Sequence, residues 1–224
     1  MSQKAVSEVV GVLMVIAIIT ATAGMLYVLS YPILNNSEEN VKFRKAYFEM
    51  LELKEKIENV RFSLEPNATY TARLIGVSLS FENSPNITIN GTQYVVSSIK
   101  FLGNGWSVYY ENGAIIERRG AWSKILQYPN IHYDSGSDTL TMPVIIFVGN
   151  KSVGGEGQVT INLAITNVTK LEMSNCDIEV SSSNIDAWKE FFDDIGLPIS
   201  PPSGNTISFS VSRLSSTIYE VSVR

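Results

Sequence analysis

The sequence predicts an α+β fold: a long N-terminal hydrophobic helix, then a mainly antiparallel β-sandwich or open-barrel domain with one late short helix. Three observations carry this. No charged side chain occurs from Val9 to Leu34, a run of 26 residues. From Phe43 to Val60 apolar residues recur in alternating steps of three and four, the spacing of one helix face. From Thr69 onward the apolar period falls to two, punctuated by the pairs Asn90-Gly91, Asn104-Gly105 and Asn112-Gly113, which suit tight hairpin turns.

The first helix follows from solvation. As a helix rising about 1.5 Å per residue, Val9 to Tyr31 reaches roughly 35 Å, enough for a hydrocarbon core of about 30 Å. Charge is costly in lipid and backbone polar groups must be satisfied internally there, so a helix is the form that fits. Pro32 removes a donor and crowds the preceding turn, which predicts an interruption at Tyr31-Pro32. Ser37 then reads as an N-cap, with Glu38 and Glu39 in the first turn of a second helix. Its seam is Phe43, Ala46, Met50, Leu53, Ile57 and Val60, with Tyr47, Phe48 and Leu51 widening the apolar face. Pro66 is expected to end the helical region. The implied division is 1–5, 6–36, 37–65 and 66–224.

Candidate strands are Ala72–Phe81, Gln93–Phe101, Trp106–Glu111, Ala114–Arg118, Thr139–Val148, Gln158–Thr166, Asp177–Ser181, Thr206–Ser212 and Ser216–Val223. Trp106 to Arg118 reads as one hairpin about Asn112-Gly113, and Val153 to Gly157 as a flexible turn. Between Ser183 and Ile195, the apolar residues Ile185, Trp188, Phe191, Phe192 and Ile195 follow helical spacing and predict a short helix capping the sheet.

The N-terminal run admits three readings. It is a plain anchor with Lys4 held in the cytoplasm, or a secretory signal cut after Ala21-Thr22-Ala23, or a helix retained after processing upstream of it. The string Lys4-Ala5-Val6-Ser7-Glu8-Val9-Val10-Gly11, followed by Val12-Leu13-Met14-Val15-Ile16-Ala17, resembles the start of archaeal type IV pilin-like precursors, relatives of the archaellins. That resemblance implies cleavage between Ala5 and Val6 by a prepilin peptidase. It also implies polymerisation through the helix, with Glu8, Val9, Gly11, Val12 and Ile16 at the assembly end. Further partners implied are copies of itself and related pilins, a pilus assembly membrane protein and its ATPase, and membrane lipid before assembly. The sequence departs from the bacterial pattern in one respect. A glutamate stands fifth in mature bacterial pilins, whereas Glu8 would stand third here, which puts its pairing with a neighbour's amine in question. The Asn112–Ile116 hairpin, the strand at Met142–Phe147 and the aromatic late helix are similar, more faintly, to the C-terminal parts of some such proteins.

Composition narrows the function classes. A net charge of −5 with 17% charged residues lacks the basic footprint of a nucleic-acid binder. Cys176 stands alone, so neither an intrachain disulfide nor a cysteine zinc site is available, and it reads as a buried strand residue. His132 is the single histidine, which leaves a serine triad without a surrounding signature and a histidine zinc site short of ligands. Asp134-Ser135-Gly136-Ser137-Asp138 offers oxygens to calcium but not the ligand series of a known loop, and a turn is the simpler reading. Asp186, Glu190, Asp193 and Asp194 read as the solvated face of the late helix. Catalytic, metal and cofactor sites are therefore not expected. Asn35, Asn67, Asn86, Asn90, Asn150 and Asn167 begin Asn-x-Ser/Thr sequons, candidates for N-linked glycans on an exported chain.

The function expected from these readings is a major or minor pilin. It starts as a precursor in the cytoplasmic membrane and ends as a subunit of an extracellular filament on the cell surface. A membrane-tethered binding module that does not polymerise is the alternative, with Tyr109, Tyr110 and Trp122 available to stack on sugars.

Overall fold

The computed structural model describes residues 3–62, 67–149 and 153–224, with side chains omitted for residues 3–9 and 153–156. Two compact units divide between Val41 and Lys42. Helix α1 spans Gln3–Arg61 with Pro32 inside it, and Ser37 falls within the helix rather than at a start. The predicted interruption is therefore absent. One proline removes one intrahelical hydrogen bond, which a helix with long flanks on both sides can lose. Pro66 lies outside the described residues.

The second unit is a mainly antiparallel β domain with one short helix, the class expected. Its strands are β1 (Asn67–Glu82), β2 (Asn86–Ile89), β3 (Thr92–Val95), β4 (Ser98–Leu102), β5 (Ser107–Glu111), β6 (Ala114–Arg119), β7 (Trp122–Gln127), β8 (His132–Asp134), β9 (Thr139–Val148), β10 (Val153–Ser181) and β11 (Thr206–Val223), with α2 at Ile185–Asp194. Hydrogen bonding joins them into one sheet in the order β7-β6-β5-β4-β1-β10-β11-β9-β8, and the β2–β3 hairpin branches from β10. Every pairing is antiparallel except β9 with β11.

The long ladder of β10 and β11, from Leu163↔Val223 to Ser181↔Thr206, strings two cores along its length. In the first, Ala46, Met50, Leu53, Ile57 and Val60 of α1 pack on β1, β4 and the end of β11. In the second, Ile185, Trp188, Phe191 and Phe192 of α2 pack on β2, β9 and the start of β11. Successive strand residues face opposite ways, so a strand between two cores must be apolar on both faces. β5 and β6 do this: Val108, Tyr110 and Ile115 enter the first core, Tyr109, Ala114 and Ile116 the second. β9 likewise sends Leu140, Met142 and Val144 to the second core and Ile145 and Phe147 to the first.

All of the Asn-Gly pairs fall in turns between strands. Asn90-Gly91 joins β2 to β3 and Asn112-Gly113 joins β5 to β6, with both residues of each pair at positive φ (47° and 79°, 44° and 90°). That is the backbone a two-residue hairpin needs, and Asn and Gly tolerate it best. At the end of β9, a Cβ on Gly149 would lie 2.3 Å from the Val223 carbonyl oxygen, so only glycine allows β9 to close on β11 there.

Several boundaries differ from expectation. Gln93–Phe101 is two strands, β3 and β4, because Val96 and Ser97 turn the chain between different partners. Gln158–Thr166 and Asp177–Ser181 are one strand. The polar residues between them, such as Asn167, Lys170 and Glu172, are held by the ladder to β11 regardless of their side chains. The same ladder fuses Thr206–Ser212 with Ser216–Val223. Val153–Gly157 is the start of β10, not a turn: it pairs with Leu79, Ser78 and Val77, and its glycines accompany a bulge opposite Leu74–Val77. β2, β7 and β8 are short strands that periodicity did not delimit. The helix seam is as expected, except that Phe48 is 64% exposed rather than part of the buried face.

Candidate functional site

Two arrangements stand out, and the sequence indicated one of them. In the first unit, every residue from Val10 to Asn35 of α1 is exposed. Large apolar side chains cover it, including Val12 at 61% and Ile16 at 54% exposure. The segment is long and apolar enough to cross a membrane, and lies near the N-terminus, as a membrane span or a signal sequence would. Both of its threonine hydroxyls are satisfied within the helix: Thr20 Oγ1 donates to the Ile16 carbonyl at 2.8 Å and Thr22 Oγ1 to that of Ile18 at 2.7 Å. A helix that returns its own polar groups to its own backbone presents an almost wholly apolar surface. Around Gly11 and Gly24 nothing lies within 4 Å of where a Cβ would stand, so both leave open notches on that surface.

Of the residues singled out from sequence, Gly11, Val12 and Ile16 lie on this exposed face. Lys4, Ala5, Val6, Glu8 and Val9 are within the helix, but their side chains lie outside the described residues, as does Asn150 altogether. Asn35, Asn67, Asn90 and Asn167 are exposed. Asn90 is also structural, since its Oδ1 accepts the Asp177 N–H at 2.8 Å. Asn86 is half-buried, and its Oδ1 is enclosed without a partner.

The second arrangement was not anticipated. Glu111, at the end of β5, is fully buried among polar side chains. Its Oε2 accepts from Ser182 Oγ and Trp188 Nε1, each at 2.9 Å, and its Oε1 from Asn184 Nδ2 at 2.6 Å. Ser182 Oγ also accepts the Asn184 N–H at 2.9 Å. Alternation along β5 aims Glu111 at α2, and the bend before α2 brings the three donors to it. Burial pushes its carboxyl above the ordinary range, while the indole, amide and hydroxyl donors act against that rise. The next residue, Asn112, spans the free edge of β9: its Nδ2 donates to the Pro143 carbonyl at 2.9 Å and its Oδ1 accepts the Ile145 N–H at 3.0 Å. The one legible hint was an acid closing an otherwise apolar strand.

The remaining candidates resolve into structure. Asp134 accepts from Gly136 N–H and Ser137 Oγ, and Asp138 from Tyr133 Oη and from both N–H and Oγ of Ser212. These donors hold both carboxyls below the ordinary range. The acidic turn thus spends its oxygens on its own hairpin and on β11. Asp186, Glu190, Asp193 and Asp194 are exposed along α2, and Asp194 accepts from Tyr128 Oη at 2.6 Å. His132 is exposed on β8, and Cys176 is buried in the second core. Among the three aromatics proposed to stack on sugars, Tyr109 and Tyr110 are buried, because β5 has a core on either face, and only Trp122 is exposed.

A chain with one long exposed apolar helix and a β unit with its own cores is thereby defined. It belongs to a family of unknown function, DUF7289, whose model matches residues 4–223. It is similar to an uncharacterized protein of Archaeoglobus fulgidus, with 26% identity over 220 residues, covering 86% of this chain and 82% of that one. No solved structure matches.

Proposed function

We propose that this chain is a structural subunit, major or minor, of an extracellular type IV pilus-like filament, inserted in the cytoplasmic membrane as a precursor and polymerised through its N-terminal helix. The observation that supports this most is the uncharged stretch of α1, exposed from Val10 to Leu34 with its threonine hydroxyls returned to its own backbone. Such a surface needs a dry environment. Lipid supplies one before assembly, and apolar helices of other copies supply another after it. The two are similarly dry, so transfer between them is close to balance, and an ATPase acting through a membrane protein would supply the work. Small residues such as Gly11, Ala17, Ala21, Ala23 and Gly24 would set how closely helices approach. The resemblance of Lys4 to Ala17 to archaeal pilin-like precursors adds a processing step between Ala5 and Val6, which leaves the helix in the mature protein.

The first experiment is the N-terminal residue of the mature protein, by sequencing or top-down mass spectrometry, with shearing of cells alongside. A start at Val6 and release as long polymers support the filament. A start at Gly24 means secretion without the helix and ends the proposal. An uncleaved chain that resists shear makes it a tethered surface module instead.

A further inference from the structure

We propose that Asn104-Gly105, in the turn between β4 and β5, is a self-modification site at which the asparagine amide is lost to the next backbone nitrogen, leaving an aspartyl or isoaspartyl residue. The inference goes beyond the filament reading and does not depend on it. It rests on the different treatment that the fold gives three chemically identical pairs.

In any Asn-Gly pair the glycine nitrogen is tethered beside the asparagine Cγ, and without a Cβ its approach is unobstructed. The attack needs a side chain free to swing onto that nitrogen, and the later hydrolysis needs water. Asn112 has neither. It is 1% exposed, and both atoms of its amide are held by β9. Asn90 is exposed but clasped to β10. Its N–H donates to the Asp177 carbonyl at 2.9 Å, and its Oδ1 accepts the Asp177 N–H at 2.8 Å. Both asparagines stand in left-handed backbone, at φ 44° and 47°.

Asn104 differs on each count. It is exposed, its φ is not positive, and among the described residues its side chain makes no hydrogen bond. Nothing lies within 4 Å of where a Cβ on Gly105 would stand, so the nucleophile is open to water as well. The turn is pinned by its flanks instead. Gly103 N–H donates to the Trp106 carbonyl at 3.0 Å, and Leu102 pairs with Ser107 across the ladder. The hairpin therefore keeps its shape without the Asn104 amide.

The reaction balances with water as its only co-reactant. The Gly105 nitrogen gives up its proton and bonds to Asn104 Cγ. The Cγ–Nδ2 bond breaks, and ammonia leaves carrying that proton. Water then opens the cyclic imide at either of its carbonyls. One opening restores the ordinary main chain with a carboxylate side chain. The other routes the main chain through the former side chain and leaves the carboxylate on the backbone carbon. Each adds one negative charge to a turn, Gly103 to Trp106, that has none.

The test incubates the full-length chain in mildly alkaline heavy-oxygen water and follows all three pairs by peptide mass spectrometry. The expected result is label entering at Asn104 several-fold faster than at Asn90 or Asn112, with isoaspartate among the products. The rate should rise with pH, because the attacking nitrogen must lose its proton, and Gly105→Ala should slow it. The unaltered chain in strong urea keeps the test decisive should that variant misfold. There the three pairs should convert at similar rates, and a lead for Asn104 that persists in urea overturns the role given to the fold. Equal rates in the native chain, or an amide at Asn104 as durable as that at Asn112, overturn the proposal. Label without isoaspartate overturns it too, since direct hydrolysis passes through no imide.

Discussion

The indole Nε1–H of Trp188 donates to the Glu111 carboxylate over 2.9 Å, joining α2 to the end of β5 inside the second core. Neither group meets solvent, so each is the other's replacement for water. Glu111→Ala would leave Trp188 Nε1, Asn184 Nδ2 and Ser182 Oγ without their acceptor in a closed space. A loss on the order of 3 kcal/mol is expected, since each stranded donor costs about 1–3 kcal/mol and the bend relaxes in part. Urea unfolding of the variant measures it.

The same carboxyl gives a pH signature. Its folded value lies above the ordinary 4.5, so between that value and the raised one the folded chain holds a proton that the unfolded chain has released. Stability from this group is therefore present at low pH and declines as pH rises through that window. Glu111→Gln removes the group, and its unfolding midpoint plotted against pH should lack that decline. A variant profile parallel to that of the parent would refute this reading.

Asn112 has two duties, a left-handed turn position and a clasp on β9. Asn112→Gly keeps the turn and strands the Pro143 carbonyl and Ile145 N–H, and Asn112→Ala adds backbone strain of about 1–2 kcal/mol. The alanine variant is expected to be the less stable of the two. Asn104, whose φ is not positive, should tolerate alanine to within about 0.5 kcal/mol. Thermal unfolding of the three variants tests this order.

On α1 the buried seam and the exposed aromatic separate cleanly. Met50→Ala and Leu53→Ala remove side chains with no exposed surface and should cost about 2–5 kcal/mol each. Phe48→Ala should stay within about 0.5 kcal/mol in the monomer. If Phe48 packs on neighbouring copies, its loss appears instead as shorter filaments in sheared material.

A charge in the apolar stretch acts on the membrane rather than on the β unit. Val12→Asp or Ile16→Asp places a charge in the N-terminal half of the apolar stretch; a charge at the centre of a span costs about 2.5–3.5 kcal/mol, which is the upper bound for these two positions. Reduced retention in the membrane fraction, and loss of filaments with an unchanged unfolding midpoint of the β unit, are the expected outcomes. Normal filaments from either variant would count against the proposed assembly.

Glycan occupancy should follow exposure. On an exported chain Asn67 and Asn167 present accessible amides, whereas Asn86 is half-buried with its carbonyl oxygen enclosed. Glycopeptide mass spectrometry is expected to find Asn86 unmodified. A glycan there would mean that modification precedes folding of the β2–β3 hairpin.

The two helices, the class of the β domain and the hairpin turns were legible because each is written in local spacing. The seam at Ala46, Met50, Leu53, Ile57 and Val60 is a helix face whatever it packs on, and Asn112-Gly113 is a turn because few other residues tolerate its backbone. Strand limits were less legible. The run Asn167 to Asn175 reads as loop by composition, yet β11 supplies its hydrogen bonds and makes it strand. Pro32 reads as a break, yet the helix passes through it.

The sequence by itself determined that this protein has a long uncharged helical segment, an amphipathic continuation and a hairpin-rich β domain, because hydrophobic period and turn chemistry are properties of neighbours in the chain. Only the tertiary structure decided that β10 and β11 carry two cores and that Glu111 is sealed against Trp188. Those outcomes depend on which distant groups satisfy one another's hydrogen bonds and exclude water, and no spacing along the chain encodes that.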